Sequence, residues 1–192
     1  MTAIDLSSDI GLVALSVLTL NLLLGVLLSM RYNPWTHWPH RRFNYFKVHN
    51  WTGYVALGLC LLHPIVLLAS SDAGFRVLDI IYPVHAPKQP WINVLGAVGL
   101  YALVVVVVTS YFRLEMGRAP WKLIHYGAYG AALLAYVHSI LTDPTLKDAA
   151  VDPLDGEKVL VEVCLALALV AFAIRLRRRR ERLRSLAPTP AD

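Results

Sequence analysis

Residues 49–63 read HNWTGYVALGLCLLH, an apolar run with a histidine at each end. The run lies within a longer apolar segment, about 48–70, and a membrane-spanning helix needs about 20 such residues. An ionisable side chain inside a spanning segment is expensive to bury and usually has a function. The two histidines, fourteen positions apart, therefore mark this segment as more than an anchor.

Four further segments have the same apolar character. The chain has 192 residues, of which 57% are hydrophobic and only 16% are charged, a balance that a soluble domain rarely has. The five predicted spans are about 10–30, 48–70, 92–112, 122–141 and 157–176. No alternating pattern of a β-barrel is present, so we predict an all-α integral membrane protein with five transmembrane helices. Residues 1–186 then form one transmembrane domain, and 187–192 a disordered tail.

The charges of the connecting segments predict the orientation. Lys and Arg dominate the connections at 31–47 and 113–122 and the tail after the last span, whereas the N-terminal segment and the 142–158 connection are acidic. The positive-inside rule then places the N-terminus outside and the C-terminus inside. We expect a multi-pass protein of the bacterial inner, or plasma, membrane.

The fourth span repeats the feature of the second. Residues 125–138 read HYGAYGAALLAYVH, again with a histidine at each end. Both spans run from inside to outside, so His49 and His125 lie near the inner surface and His63 and His138 near the outer one. A rise of about 1.5 Å per residue separates the two levels by about 20 Å. If the spans are neighbours, they form an inner pair (His49, His125) and an outer pair (His63, His138).

Two facing imidazoles are a ligand set for six-coordinate haem iron. Four histidines at matched depths in two spans favour this reading over isolated core histidines or a proton relay, either of which would explain a single residue. We therefore expect two haem b groups, with iron bound by all four histidines. Filled axial positions leave no open site for O₂, which predicts outer-sphere electron transfer at the outer end.

The spacing of the two histidines in the fourth span requires a distortion of the helix. At about 100° per residue, the fourteen-residue step from His49 to His63 returns to nearly the same face, whereas the thirteen-residue step from His125 to His138 misses by about 140°. We therefore expect a π-bulge, a strong tilt or differently rotated haems in the fourth span.

Other charged residues are weaker candidates. Basic residues that could pair with haem propionates are Arg41, Arg42, Arg118 and Lys122 on the inner side, and Arg76 and Lys88 on the outer side. Glu162 either pairs with Lys158 or serves a proton or quinone. The run RLRRRRERLR at 175–184 predicts binding to anionic lipid, or docking of an acidic flavoprotein, rather than binding of nucleic acid.

At these residues the chain resembles the ferric reductase-like transmembrane domain, whose members include NADPH oxidases, ferric reductases and the haem subunit of bacterial methionine-sulfoxide reductase systems. The family has two helices with histidine pairs separated by thirteen and by twelve or thirteen residues. Here thirteen residues separate His49 from His63, and twelve separate His125 from His138. The resemblance covers about 43–173 and implies haem ligands paired across the two helices, often within six spans rather than five.

Larger members of that family carry a flavin and nicotinamide domain after the last span. This sequence has no Gly-rich phosphate loop, so we expect no FAD or NAD on this chain and a separate flavoprotein reductase or a quinol as electron donor. The leading hypothesis is a ferric reductase-like oxidoreductase component, a di-haem cytochrome b. Electrons would pass from a cytoplasmic-side donor through the inner and then the outer haem to an unknown acceptor outside.

Two alternatives remain. A quinol-linked cytochrome b subunit would use the same histidines with electron flow in either direction. A metal-ion transporter would use the histidines as metal ligands, but its sites usually include carboxylates near the midplane, and these histidines lie at the ends of their spans.

Overall fold

The computed structural model describes residues 2–30, 44–147 and 152–185, and the regular elements within them are all helical. The helices are α1 (Ala3–Ser29), α2 (Tyr45–Val66), α3 (Val77–Ile81), α4 (Pro90–Tyr111), α5 (Arg113–Met116), α6 (Arg118–His125), α7 (Gly127–Leu141) and α8 (Gly156–Ser185). Short 3₁₀ turns follow α2 and α3, at Leu67–Ala69 and Pro83–His85. The all-α prediction is confirmed.

Four helical segments within the described residues are long and apolar enough to cross a membrane. They are Ala3–Ser29, Tyr45–Ala69, Pro90–Tyr111 and Gly156–Ser185, and they correspond to the first, second, third and fifth predicted spans. The last segment continues through the arginine run instead of ending near residue 176. The fourth predicted span is divided between α6 and α7, and α7 has only 15 residues. A fifth span, and the orientation of the chain, therefore stay predictions.

The first structural unit is an antiparallel hairpin of α1 and α2. Thr2 and Asp5 form a capping box at the start of α1, where each side chain accepts a hydrogen bond from the other residue's main-chain N–H. Asn21, near the middle of α1, donates to the main-chain oxygen of His49 at 2.5 Å and to the Thr52 hydroxyl at 2.8 Å. These polar contacts set the register between the two helices.

The second unit is a hairpin of α4 with α6 and α7. A Cβ at Gly99 would lie 3.2 Å from the Leu134 side chain and 3.4 Å from the Ala131 main-chain oxygen, so α4 and α7 approach closely. Helix α8 packs against both α1 and α7, while α2 contacts α4. The five long segments therefore surround a shared core, formed by Leu15, Leu18, Ala56, Leu103, Ala131, Ala132, Tyr136, Val161, Cys164 and Ala168.

The second hairpin contains the distortion expected from its thirteen-residue histidine step. Helix α6 ends at His125, Tyr126 forms a turn, and α7 begins at Gly127. Tyr129 N–H bonds to Tyr126 O at 3.1 Å, a three-residue turn rather than a helical one. An interruption, not a π-bulge, therefore separates His125 from the helix that carries His138.

The end of the bundle that holds His63 is closed by the connections. A small apolar cluster of Leu67, Ala73, Phe75, Ala86 and Leu146 lies there. The Gln89 amide bonds the main chain of Asp143 through both its nitrogen and its oxygen. These contacts join the connection before α4 to the one after α7.

Candidate functional site

The structure brings the four histidines of the second and fourth predicted spans together in two pairs. The ring centres of His49 and His125 are 6.1 Å apart, with their planes at 77°. Those of His63 and His138 are 6.4 Å apart, with their planes at 72°. Each pair joins the α1/α2 hairpin to the α4/α7 hairpin, at opposite ends of α2.

This spacing suits two imidazoles on opposite sides of one metal ion. An imidazole nitrogen binds a transition metal at about 2.0–2.1 Å, and the nitrogen lies about 1.1 Å from its ring centre, so opposite rings have centres about 6.3 Å apart. Both observed separations are close to this value. Rings at these separations and angles also match a T-shaped contact, so the spacing is compatible with a bound metal ion and does not require one.

Hydrogen bonds at Nδ1 orient three of the four rings. Nδ1 of His49 donates to Asn21 O at 3.1 Å, Nδ1 of His63 to Ser7 O at 2.7 Å, and Nδ1 of His138 to Ile92 O at 2.9 Å. A main-chain oxygen only accepts, so the hydrogen must be on Nδ1. In a neutral ring, Nε2 then carries the lone pair that binds a metal.

His125 has the same tautomer for a different reason. Its Nδ1 lies 3.1 Å from the Ser110 hydroxyl oxygen, and that hydroxyl lies 2.6 Å from Val106 O, to which it donates. The Ser110 oxygen must therefore accept from His125. Within the described parts of the chain, no hydrogen bond engages Nε2 of any of the four histidines.

Glycines make room for three of the rings. A Cβ at Gly11 would lie 2.9 Å from His63 Nδ1, one at Gly25 would lie 3.1 Å from His49 Cε1, and one at Gly96 would lie 3.0 Å from His138 Nδ1. Real Cβ contacts are rarely this short. These three rings are therefore packed directly against the backbone of the neighbouring helix.

A cavity of about 180 Å³, partly open to the surroundings, adjoins the outer pair. His63 and His138 line it together with Gly11 and Gly96, and so do two charged residues of α8, Glu157 and Lys158. Lys158 is only 5% exposed, and its Nζ donates to Ser139 O at 2.7 Å and to Thr142 O at 2.5 Å. A ligand at the outer pair thus has space beside it and a cation in its wall.

Comparison with known families identifies the family of the chain. The model of the family described as "Ferric reductase like transmembrane component" matches residues 10–136. The chain belongs to this family. Neither the curated proteins nor the solved structures contain a match to the chain.

Membership in the ferric reductase-like family indicates a transmembrane electron-transfer component. The matched region contains His49, His63 and His125 and ends two residues before His138. The outer pair is therefore completed by geometry, through the 6.4 Å spacing of its rings, and not by the family match alone.

The histidine pairs also fit the haem that this ferric reductase-like family generally carries. Among the described residues, no group of three or more His, Cys, Asp or Glu side chains comes together in a way that could hold a metal ion. Each pair would supply two ligands to a haem iron, and six-coordinate iron would need four more. A porphyrin supplies those four, which leaves the two axial positions for imidazole.

None of the weaker basic candidates in the described part of the chain lines the cavity at the outer pair. Arg41 and Arg42 lie outside the described residues. Arg118, Lys122, Arg76 and His85 are exposed, and neither Arg76 nor Lys88 is among the residues that line the cavity. Lys158 does line the cavity. The sequence suggests this residue only as a partner for Glu162.

Glu162 does not form that pair. Its side chain is exposed on α8, and in the described part of the chain no ion pair within 4 Å joins it to Lys158. Nζ of Lys158 instead donates hydrogen bonds to main-chain oxygens at the end of α7. The simple pairing proposed for Glu162 from its spacing is therefore wrong.

Sequence reasoning missed the residues that support the histidines. Ser7, Gly11, Asn21 and Gly25 of α1 and Ser110 of α4 contact the rings, yet the spans that contain them carry no histidine. One signal was present. Gly11 and Gly25 are fourteen positions apart, the same step as His49 to His63, as two contacts between antiparallel helices require.

Proposed function

We propose that this ferric reductase-like chain is a di-haem cytochrome b that carries electrons across a membrane. One haem b would be held by His49 and His125 and the other by His63 and His138. Each iron supplies a one-electron carrier. The two levels are separated by about 20 Å along α2, which divides the hydrocarbon core into shorter transfers.

The observation that supports this proposal best is the hydrogen-bonding arrangement that the four histidines share. Each donates from Nδ1 to a protein oxygen, each keeps Nε2 without a hydrogen bond, and each faces a second such ring at 6.1 or 6.4 Å. A histidine that served only the core would use both nitrogens or would be packed against apolar atoms. Four rings held in this way suit axial ligation.

The protein's own contribution is orientation and exclusion. Hydrogen bonds from Nδ1 raise the basicity of a ligand ring and hold its plane, as in other metal sites. The core between the two pairs consists of apolar side chains, which would disfavour ions along the path. With both axial positions filled by histidine, transfer to an acceptor would occur at the edge of the outer site.

The electron donor that we propose is a separate reductase or a quinol on the inner side. The side chains of α8 beyond Arg175 are exposed and mostly basic, and Arg182 donates to Met30 O at the end of α1. This basic helix end would contact anionic lipid head groups and would attract an acidic donor protein.

The direct test is a haem count with a reduced-minus-oxidised visible spectrum of the purified protein. We expect about two low-spin b haems per chain, one at each pair. His49→Ala and His63→Ala should each remove one haem, while His85→Ala, at an exposed histidine outside both pairs, should keep two. A haem-free protein that binds transition-metal ions through these histidines would instead support the transporter alternative.

A further inference from the structure

One of the four histidines is supported differently from the rest. His49, His63 and His138 each donate to a main-chain oxygen of the neighbouring long helix and contact a glycine of that helix. His125 donates to a side-chain hydroxyl, and none of the glycines in the described chain has this ring within 4 Å of its Cβ position. The inner pair therefore has one ring in the common environment and one in a special environment.

The special environment is a three-way hydrogen bond at the Ser110 hydroxyl. The hydroxyl donates to Val106 O at 2.6 Å and accepts from His125 Nδ1 at 3.1 Å and from Trp121 Nε1 at 3.3 Å. A serine hydroxyl has one hydrogen and two lone pairs, so Ser110 uses its full capacity. His125 thus shares its acceptor with an indole.

The same indole also restrains the ring from its face. The Trp121 and His125 rings are 5.0 Å apart between centres and inclined by only 28°, so they stack. Trp121 lies one turn before His125 on α6, and the stack blocks rotation of the imidazole about its Cβ–Cγ bond. The interruption at Tyr126 follows directly, so the orientation of His125 depends on α6 and α4 and not on α7.

We propose that Ser110 and Trp121 are positioning residues that act through His125 to set the reduction potential of the inner centre apart from that of the outer one. The proposal rests on the proposed function, because it needs a haem at the inner pair. It assigns a role to two residues that are not metal ligands and do not line the outer cavity.

The direction of the effect follows from ligand basicity. A strong hydrogen bond from Nδ1 makes the imidazole a better electron donor, which favours oxidised iron and lowers the potential. An acceptor shared between two N–H donors, at 3.1 and 3.3 Å, is weaker for each than the carbonyl at 2.7 Å that His63 uses. His125 is therefore a less basic ligand than His63, and the inner potential should lie above the outer one.

Two substitutions should shift that potential in opposite directions. Ser110→Ala removes the acceptor, so Nδ1 of His125 loses its bond and the inner potential should rise. Trp121→Phe keeps a ring to stack on His125 but removes the competing N–H, so the bond from His125 to Ser110 should strengthen and the inner potential should fall. Redox titration of the full chain, followed by visible absorption and low-temperature electron paramagnetic resonance, measures both.

Matched variants test whether the site itself is responsible. Thr109→Ala removes a neighbouring hydroxyl that bonds only the backbone of α4, and Trp91→Phe changes an exposed tryptophan. Both should leave the two potentials unchanged, and Ser110→Thr, which keeps the hydroxyl, should return the inner potential toward the wild-type value. The outer centre is an internal reference in every variant.

Opposite shifts in Ser110→Ala and Trp121→Phe support the proposal. Shifts in the same direction, or no shift in either, overturn it, because a purely structural role would loosen the ring in both. If Ser110→Ala does not retain the inner haem, Trp121→Phe decides alone, and a potential at or above the wild-type value counts against the proposal. Absence of haem from the wild-type chain would contradict the proposed function instead, so the two failures are distinguishable.

Discussion

Which nitrogen of a histidine can bind a metal is decided by the hydrogen bond at the other nitrogen. In this chain all four candidate ligands donate from Nδ1, three of them to main-chain oxygens that cannot act as donors. The acceptors come from α1 and α4, whose sequences contain no histidine. A search restricted to the histidine-bearing spans therefore finds the ligands and misses what orients them.

Glycines of helices without histidine also contact the rings. Gly53 and Gly58 lie on the histidine-bearing helix α2, yet a Cβ at Gly53 would meet Asn21 and one at Gly58 would meet no atom within 4 Å. The glycines that contact rings are Gly11 and Gly25 of α1 and Gly96 of α4. The composition of a membrane helix does not distinguish these uses, since small residues also serve helix packing.

At the residue scale we predict that Gly11→Val disrupts the outer centre. A Cβ at this position would lie 2.9 Å from His63 Nδ1, so the ring must move away from Ser7 O and from its partner His138. The haem content should fall from about two per chain to about one. Haem quantification and the reduced-minus-oxidised spectrum measure the loss.

The control for this substitution is Gly58→Val. It makes the same change in the helix of His63 itself, where a Cβ meets no atom within 4 Å, and it should retain both haems. Equal haem loss in the two variants would show that helix propensity, rather than contact with His63, is responsible.

At the scale of elements, the two hairpins differ in the chain between their two histidines. The α1/α2 hairpin keeps an uninterrupted helix between His49 and His63, because their fourteen-residue step returns to nearly the same face. The α4/α7 hairpin has a thirteen-residue step and separates its histidines by the turn at Tyr126. Simple arithmetic on the sequence identifies the need for a distortion but not its kind.

The C-terminal end of α7 depends on a residue from another element. Lys158 of α8 donates from Nζ to Ser139 O and Thr142 O, in the turn that follows His138. A cation at this position also complements the partial negative charge of a helix C-terminus. Because the side chain is only 5% exposed, water cannot readily replace it.

We therefore predict that Lys158→Met lowers the free energy of unfolding by about 1–3 kcal/mol, since two main-chain oxygens lose their donor. The same variant should broaden or shift the signal of the outer haem and leave the inner one unchanged. Unfolding in detergent, followed by the visible spectrum, measures both effects. Lys147→Met, at an exposed lysine of the same connection, should change stability by less than about 0.5 kcal/mol, and an equal loss there would count against the capping role.

At the scale of the whole molecule, the number of spans decides the orientation of the ends. Four segments of the described residues qualify as spans by their own length, and α6 with α7 would make a fifth. An odd number places the N- and C-termini on opposite sides of the membrane, whereas four or six spans place them on the same side. The inner and outer labels of the histidine pairs depend on this count.

We predict an external N-terminus and a cytoplasmic C-terminus, because the arginine run follows α8 directly and the connection between α7 and α8 is acidic. Alkaline phosphatase fused at the N-terminus or after residue 147 should be active, and a fluorescent protein fused after Ser185 should be fluorescent. Phosphatase activity at a C-terminal fusion would exclude this orientation of the five spans and would reverse or abolish the assignment of the two pairs.

The sequence by itself determined the membrane class, the all-α fold, the approximate bounds of four spans and the four histidines at matched depths. These follow from local composition and from the fixed rise and rotation of a helix, which a single segment reveals without its neighbours. Only the tertiary structure decided that the rings meet at 6.1 and 6.4 Å, which oxygens hold Nδ1, and that Lys158 instead of Arg76 faces the outer pair. Those contacts join residues from different helices, and the register and rotation of one helix against another depend on side-chain packing, which the order of residues along either helix does not display.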